Sequence, residues 1–261
     1  MNPADITPLI LTFNEAPNIG RCLERLRWAP RVLVMDSGST DETLAICASF
    51  PNVEVVARAF DSFAGQCNAG LALITTEWVL SMDADYLLAQ DFVHLAPQAP
   101  TGIDGFRIGF RYCIYGVPLR ACLYPPRVAL YRRQSACYED DGHGHKVRIT
   151  GALENLATSI DHDDRKPLAR WLDAQRRYIV LEAEKLAASK PTGWPDRLRV
   201  MIWPAAPAAL IYTLFVKRLI LDGWPGIFYA LQRTYAELLL SLELLDRRLD
   251  DRGPGAADSK K

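Results

Sequence analysis

The sequence predicts an α/β protein in which a mainly parallel sheet flanked by helices precedes a helical region. Three observations predict it. Short apolar runs alternate with segments of helical spacing through the first ninety residues, which is the pattern of a parallel sheet with crossover helices. The apolar runs end in polar residues, as buried strands do where they emerge from a sheet. After Asp164 the texture changes to helix. The 261 residues, 49% of them hydrophobic, suffice for one large domain with an appendage. The expected divisions are 1–165 for the sheet domain, 166–250 for a helical, membrane-associated region, and 251–261 for a disordered polar tail containing Gly253-Pro254-Gly255.

Ile6 to Thr12 reads as the first strand, followed by Phe13-Asn14-Glu15. Ala16 to Leu26 places Ile19, Leu23 and Leu26 on one helical face. Val32-Leu33-Val34-Met35 is a second strand ending at Asp36, and Thr40 is expected to cap a helix from Asp41 to Phe50. Val53 to Val56 is a third strand and Phe63 to Ile74 a helix. The fourth strand, from Trp78, runs into Asp83-Ala84-Asp85. Right-handed crossovers then bring three polar strand ends to one edge: Thr12/Asn14/Glu15, Asp36/Ser37 and Asp83/Asp85.

Gly105 to Tyr115 alternates aromatic and polar residues, which suits a strand of a mixed sheet. Arg111, Arg120, Arg127 and Arg132 follow closely and are candidates for phosphate contact or for a solvated face. Tyr138 to His145 is a second polar cluster, read either as a solvated loop or as part of a site. Leu168 to Ala188 has helical spacing. From Val200 to Val216 no residue is charged, although Pro204 and Pro207 interrupt the run and Arg197, Arg199, Lys217 and Arg218 flank it. This short run suits an interfacial helix, with Trp203 and Tyr212 near headgroups, better than a membrane span. Leu221 to Leu249 is a further helical stretch, interrupted at Gly223-Trp224-Pro225-Gly226.

Composition narrows the chemistry. A net charge of −1 gives no field that favours nucleic acid. The six scattered cysteines form no Cys-x-x-Cys pair, so a reducing compartment is expected. Met1 to Asp5 has no basic stretch before an apolar one, and no secretory leader is expected. The turn after the first strand lacks the glycines of a dinucleotide fold, and no P-loop is present. Phosphate would then be held by side chains and a metal. In extended chain Asp83 and Asp85 point the same way, and two converging carboxylates call for a divalent cation. Asp36 is suited to accept a base N–H, and Asn14 and Glu15 to hold base or ribose.

The segments Thr12-Phe13-Asn14-Glu15, Met35-Asp36-Ser37-Gly38-Ser39-Thr40-Asp41 and Met82-Asp83-Ala84-Asp85 resemble, in order and spacing, the family 2 glycosyltransferases of the Rossmann-like GT-A fold. Tyr124-Pro125, Leu130-Tyr131-Arg132, Val147 to Gly151, Ile160-Asp161-His162 and Leu221-Asp222-Gly223 resemble most its lipopolysaccharide-core β-1,4-glucosyltransferase branch. Three departures separate it from that branch: Gly144-His145 replaces a His-Glu pair, Gly65 a basic residue, and Tyr86 an acid.

The resemblance implies an inverting transfer of a hexose from a nucleotide-diphosphate sugar, UDP-glucose-like, to a glycan or lipid-linked acceptor, with Mg²⁺ or Mn²⁺ on the diphosphate. Thr12, Asn14, Glu15, Asp36, Ser37, Gln66, Asn68, Asp83 and Asp85 are then the expected nucleotide-sugar site. Asp83 and Asp85 are the metal ligands, Asp85 the nearer. His145, at the position of the family's carboxylate, or Asp141 would deprotonate the acceptor. His162, between Asp161 and Asp163, reads as structural. The expected location is the inner face of the cytoplasmic membrane, peripheral or monotopic. Two rival readings are a polyprenyl-phosphate sugar synthase and a non-catalytic nucleotide-sugar-binding or membrane-scaffold protein.

Overall fold

The computed structural model describes residues 2–95, 102–123, 125–141, 144–188, 191 and 193–250. Tyr124 of the resemblance, Gly142 and His143 of the polar cluster, and the expected disordered tail lie outside the described residues. The chain forms two compact units: Met1–Pro118 with Cys122–Lys166, and Leu119–Ala121 with Pro167–Lys261.

In the first unit the elements follow as β1 (Ile6–Thr12), α1 (Ile19–Glu24), β2 (Val32–Asp36), α2 (Thr43–Ala48), β3 (Val53–Ala57), α3 (Phe63–Leu73), β4 (Trp78–Asp83), β5 (Tyr86–Leu88) and α4 (Phe92–Leu95). Then come β6 (Ile103–Ile114), β7 (Val117–Pro118), β8 (Arg127–Arg132), β9 (Ala136–Asp141), β10 (Gly144–Ile149) and β11 (Ala152–His162). The main sheet runs β3-β2-β1-β4-β8-β6-β11-β5. Its first four strands are parallel, as expected. Beyond β4 the sheet is mixed, because β8 pairs antiparallel with both β4 and β6 while β11 lies parallel to β6 and antiparallel to β5.

Burial explains the order. All five residues of β2 are buried, and β1 is buried except for Leu11, so these are interior strands covered on both faces. β3 is half-exposed and forms the edge. One core lies on the face of Ile10, Val34, Leu80 and Phe106, packed with Leu23 and Leu26. The other lies on the face of Leu9, Leu33 and Val79, under Cys67 and Leu71 of α3. Strand ends align by register: Thr12 pairs with Asp36, and Leu11 with Asp83.

Two local expectations change. Thr40 does not cap α2; instead the Asp41 carboxylate accepts the Thr43 N–H at 3.0 Å, because Thr40 is turned toward Asn14. The polar cluster from Tyr138 is not simply a solvated loop, since β9 and β10 pair antiparallel, with His145 opposite Asp140.

The second unit contains α5 (Leu168–Ala188), α6 (Trp194–Met201), α7 (Ala205–Ile211) and α8 (Trp224–Asp250). Ile179 and Ala183 of α5 pack with Leu240 of α8. The uncharged run is not one helix. Ile202 adopts φ 73° between α6 and α7, and a wide π turn over Tyr212–Val216 follows α7. Among the described residues no helix is long and apolar enough to cross a membrane.

Candidate active site

The carboxyl ends of β1, β2 and β4 meet as the alternation of strand and helix requires, but the polar residues there divide into two groups. The first group is satisfied within itself except at Gln66. Asp36 is 1% exposed. One of its carboxylate oxygens accepts Thr12 Oγ1 at 3.1 Å and Ser39 Oγ at 2.5 Å; the other accepts the Gly38 and Ser39 N–H groups at 2.9 Å each. Gly38 makes this turn possible with φ 91°, a conformation that side chains disfavour. Asn14, also left-handed at φ 55°, accepts the Thr40 N–H at 2.7 Å and donates its own N–H to Ser39 Oγ at 2.8 Å. Asn68 clamps α3 to β9, donating to the Tyr138 carbonyl and accepting the Tyr138 N–H, both at 2.9 Å. Gln66 donates to Ser37 Oγ at 3.1 Å and to the Arg58 carbonyl at 2.9 Å, while its Oε1 is buried with no hydrogen-bond partner. These residues brace the loops around the cleft.

The second group is charged and is centred on Asp85, in the turn between β4 and β5. Its Oδ2 lies 3.1 Å from His162 Nε2, whereas its Oδ1 is buried with no hydrogen-bond partner. Burial works to raise the Asp85 pKa; the His162 charge and hydrogen bond, with the Lys166 ammonium, outweigh it and hold the group at about 2. Burial works to lower His162, and the charges of Asp85 and Asp83 raise it above the ordinary histidine value. Lys166 Nζ donates to Glu15 at 2.6 Å and lies 3.6 Å from Asp164. Burial disfavours its charge, but Asp85 and Glu15 raise its pKa. Glu15 is raised, first by burial and further by Asp85, with Lys166 opposing.

The segment after β11 is fastened to α1, which keeps this group in place. Asn18 donates to Glu15 at 2.9 Å and to Asp164 at 2.8 Å. Arg21 holds the Asp163 carboxylate and carbonyl at 2.7 Å each, and Arg165 grips the same carboxylate. His162 and Lys166 are the site residues that sequence reasoning missed. The available signal was the acid-rich run Asp161 to Lys166, in which His162 read as structural.

Asp83 lies between the groups. Its charge acts on Tyr86, His145 and His162. Thus the acid expected at position 86 is replaced by a buried phenol under the charge of Asp83. His145 stacks near Tyr138 and Phe63, with ring centroids 5.3 Å and 5.8 Å away. Burial, with Arg127 helping, holds it below the ordinary histidine value against the pull of Asp83 and Asp140. Asp141 is exposed at the end of β9. A side chain at Gly65 would meet the Asp61 carboxylate, because a Cβ there would lie 2.5 Å from Asp61 Oδ1.

Of the four arginines, Arg111 is paired with Asp161 at 2.7 Å, and Arg132 with Glu77 and the face of Trp78. Arg120 pairs with Asp222 at 2.7 Å in the second unit. Arg127 is the one whose charge reaches Tyr86 and His145. Among the described residues no group of three or more His, Cys, Asp or Glu converges as a metal site. The buried, partnerless Oδ1 of the ionised Asp85 still fits an oxygen-seeking cation that takes its remaining ligands from a bound phosphate and water.

Residues 9–99 match the model of glycosyl transferase family 2. Lipopolysaccharide core biosynthesis glycosyltransferase LpsC of Rhizobium meliloti (strain 1021) is 28% identical over 195 residues, covering 70% of this chain and 72% of that protein. The uncharacterized glycosyltransferase RP128 of Rickettsia prowazekii (strain Madrid E) is 30% identical over 276 residues, covering 97% of this chain and 91% of that protein. Among solved structures, glucosyl-3-phosphoglycerate synthase from Mycobacterium tuberculosis in complex with Mg²⁺ and uridine diphosphate is 16% identical, with a TM-score of 0.47 over 73% of this chain and 81% of that one. With RP128 30% identical over 97% of this chain, and the family's own segment running from β1 past α4, the chain belongs to the family 2 glycosyltransferases.

Proposed function

We propose that the protein transfers a hexose, with inversion, from a nucleotide-diphosphate sugar of the UDP-glucose kind to a hydroxyl of a glycan or lipid-linked acceptor at the inner face of the cytoplasmic membrane. The lipopolysaccharide-core name of the Rhizobium meliloti relative supports an acceptor of the cell envelope. The observation that carries the reading is Asp85: an ionised carboxylate with one orphaned oxygen, set among His162, Lys166 and Glu15 at the end of the sheet.

In this reading Asp83 and Asp85 would hold Mg²⁺ or Mn²⁺, which when bound supplies neutralising charge to the departing diphosphate. Lys166, balanced against Glu15, adds a fixed cation beside it. Thr12, Asn14, Asp36, Ser37, Gln66 and Asn68 shape the nucleoside side through the loops they brace. His145, kept neutral by burial near Asp83, takes the proton of the acceptor hydroxyl. Asp141 is the carboxylate alternative, but it is exposed on the hairpin. The test is release of nucleoside diphosphate from a donor panel, with total membrane lipid as acceptor, comparing wild type with Asp85→Ala and with chelator. Turnover that survives both changes refutes the metal site.

Arg127 favours one second reading, a polyprenyl-phosphate acceptor, because its charge reaches His145 and Tyr86. A phosphate nucleophile is already ionised and needs no base. Turnover retained by His145→Ala but lost by Arg127→Ala would select this reading over the first.

A further inference from the structure

We propose that the corner of the helical unit formed by α6, α7, the turns from Tyr212 to Asp222 and the start of α8 is a docking surface for anionic lipid, seated in the headgroup layer. The inference rests on the membrane-face placement above and names the surface responsible; the transfer chemistry does not enter it.

The corner exposes a dense group of large apolar side chains. Trp203 is 75% exposed, Trp224 82%, Leu221 63%, Val216 62%, Phe215 60% and Ile211 57%. The residues turned inward, Ile202, Ala205, Ala206, Thr213 and Leu219, leave these larger side chains outside. Exposure of this density marks an interaction surface.

The backbone holds the large side chains outward. Arg120 donates to the Asp222 carboxylate at 2.7 Å and to the Leu221 carbonyl at 3.1 Å, which fixes the turn carrying Leu221. A Cβ at Gly226 would lie 1.9 Å from the Leu219 carbonyl oxygen, so only glycine lets α8 start against that turn. The Leu221-Asp222-Gly223 motif thereby gains a local role: its aspartate locks the presentation of its leucine.

Charge selects the occupant. Arg197, Lys217 and Arg218 belong to the same corner, and among the described residues none of them has an ion-pair partner, although Lys217 sits 5.6 Å over the Tyr212 ring. The nearby acids are spent, Asp196 on Arg199 at 3.6 Å and Asp222 on Arg120 at 2.7 Å. Arg199 is not one of the lipid-facing cations, since Glu237 holds it at 2.7 Å. Exposed tryptophans with unpaired Lys and Arg are the chemistry of an anionic bilayer interface. No described helix is both long and apolar enough to cross a membrane, and the proposed contact is with the membrane surface.

The test is co-sedimentation of the full chain with vesicles of phosphatidylcholine alone and of phosphatidylcholine mixed with phosphatidylglycerol, with melting temperature monitored. Wild type is expected to bind the anionic vesicles. Trp203→Ser/Trp224→Ser is expected to bind about tenfold or more weakly, through lost interfacial burial. Lys217→Gln/Arg218→Gln is expected to lose about fivefold per charge on anionic vesicles only. Leu44→Ser, which removes an exposed leucine from the other unit, should bind as wild type does. Undiminished binding by the tryptophan variant at an unchanged melting temperature overturns this surface while leaving the membrane placement standing. Wild type that binds neither vesicle overturns both. A tryptophan-dependent dimer without vesicle binding would make a second copy the occupant and also overturn the proposal.

Discussion

The two sides of the cleft use the same kind of residue to opposite ends. At β1 and β2 the polar strand-end residues consume one another: the oxygens of Asp36 accept four hydrogen bonds from their own loop and from Thr12. At β4 and β11 charges are concentrated and one oxygen of Asp85 is left without a partner. A buried unpaired carboxylate oxygen is costly unless something binds it. A polar residue at a strand end is therefore scaffold when its valences are filled and a ligand group when they are not.

Mutations test that division, and the largest effect is expected at Asp85. Asp85→Ala should cut nucleoside-diphosphate release by about 10²–10³-fold in protein that remains folded at the assay temperature, although loss of its pairing with His162 lowers the melting temperature. A change in stability alone would move Asp85 to the scaffold side. Asp36→Ala should do the reverse, lowering unfolding free energy in urea by about 2–4 kcal/mol through stranded loop donors. If it instead removes donor binding at unchanged stability, Asp36 contacts the nucleoside directly and the division fails.

Lys166→Gln should raise the donor KM by about tenfold with a smaller change in kcat, because it removes a cation that binds ground and transition states alike. An unchanged KM would leave Lys166 as a partner for Glu15 only. The smallest effect is on pH and stability. The Asp85 pKa is depressed from 3.8 to about 2, so its contribution is present above pH 3.8 and is lost as pH falls through about 2. The His162 pKa is raised above 6.5, so its contribution is present below pH 6.5 and is lost as pH rises through the folded value. Melting temperature should therefore fall on the alkaline side by less than about 5 °C, and His162→Gln should flatten that limb. An unaltered limb would mean that another group carries it.

Much of the first ninety residues was legible because strand and helix periods differ and tolerate no slip. Ile6–Thr12 agrees with its expected bounds, as does the start of the fourth strand at Trp78. Later strands were harder to read. β8 inserts between β4 and β6, and β5 pairs with β11 far along the chain, pairings that no local pattern specifies. His162 shows the same difficulty at the site. Flanked by acids, it reads as structural, and only the fold of β11 brings it against Asp85.

The apolar periods, the loop glycine at Gly38 and the acids that close β4 follow from residue chemistry over a few positions, and so the parallel half-sheet and its polar edge were determined by sequence alone. Only tertiary structure decided which polar groups are already bonded and which stand ready for a ligand. That difference depends on partners such as Asp164, distant in sequence from Asn18 and 2.8 Å away in space. It also decided which apolar side chains of the run Val200 to Val216 are buried and which face outward. Hydrogen bonding and burial are sums over neighbours, and a chain acquires most of its neighbours only on folding.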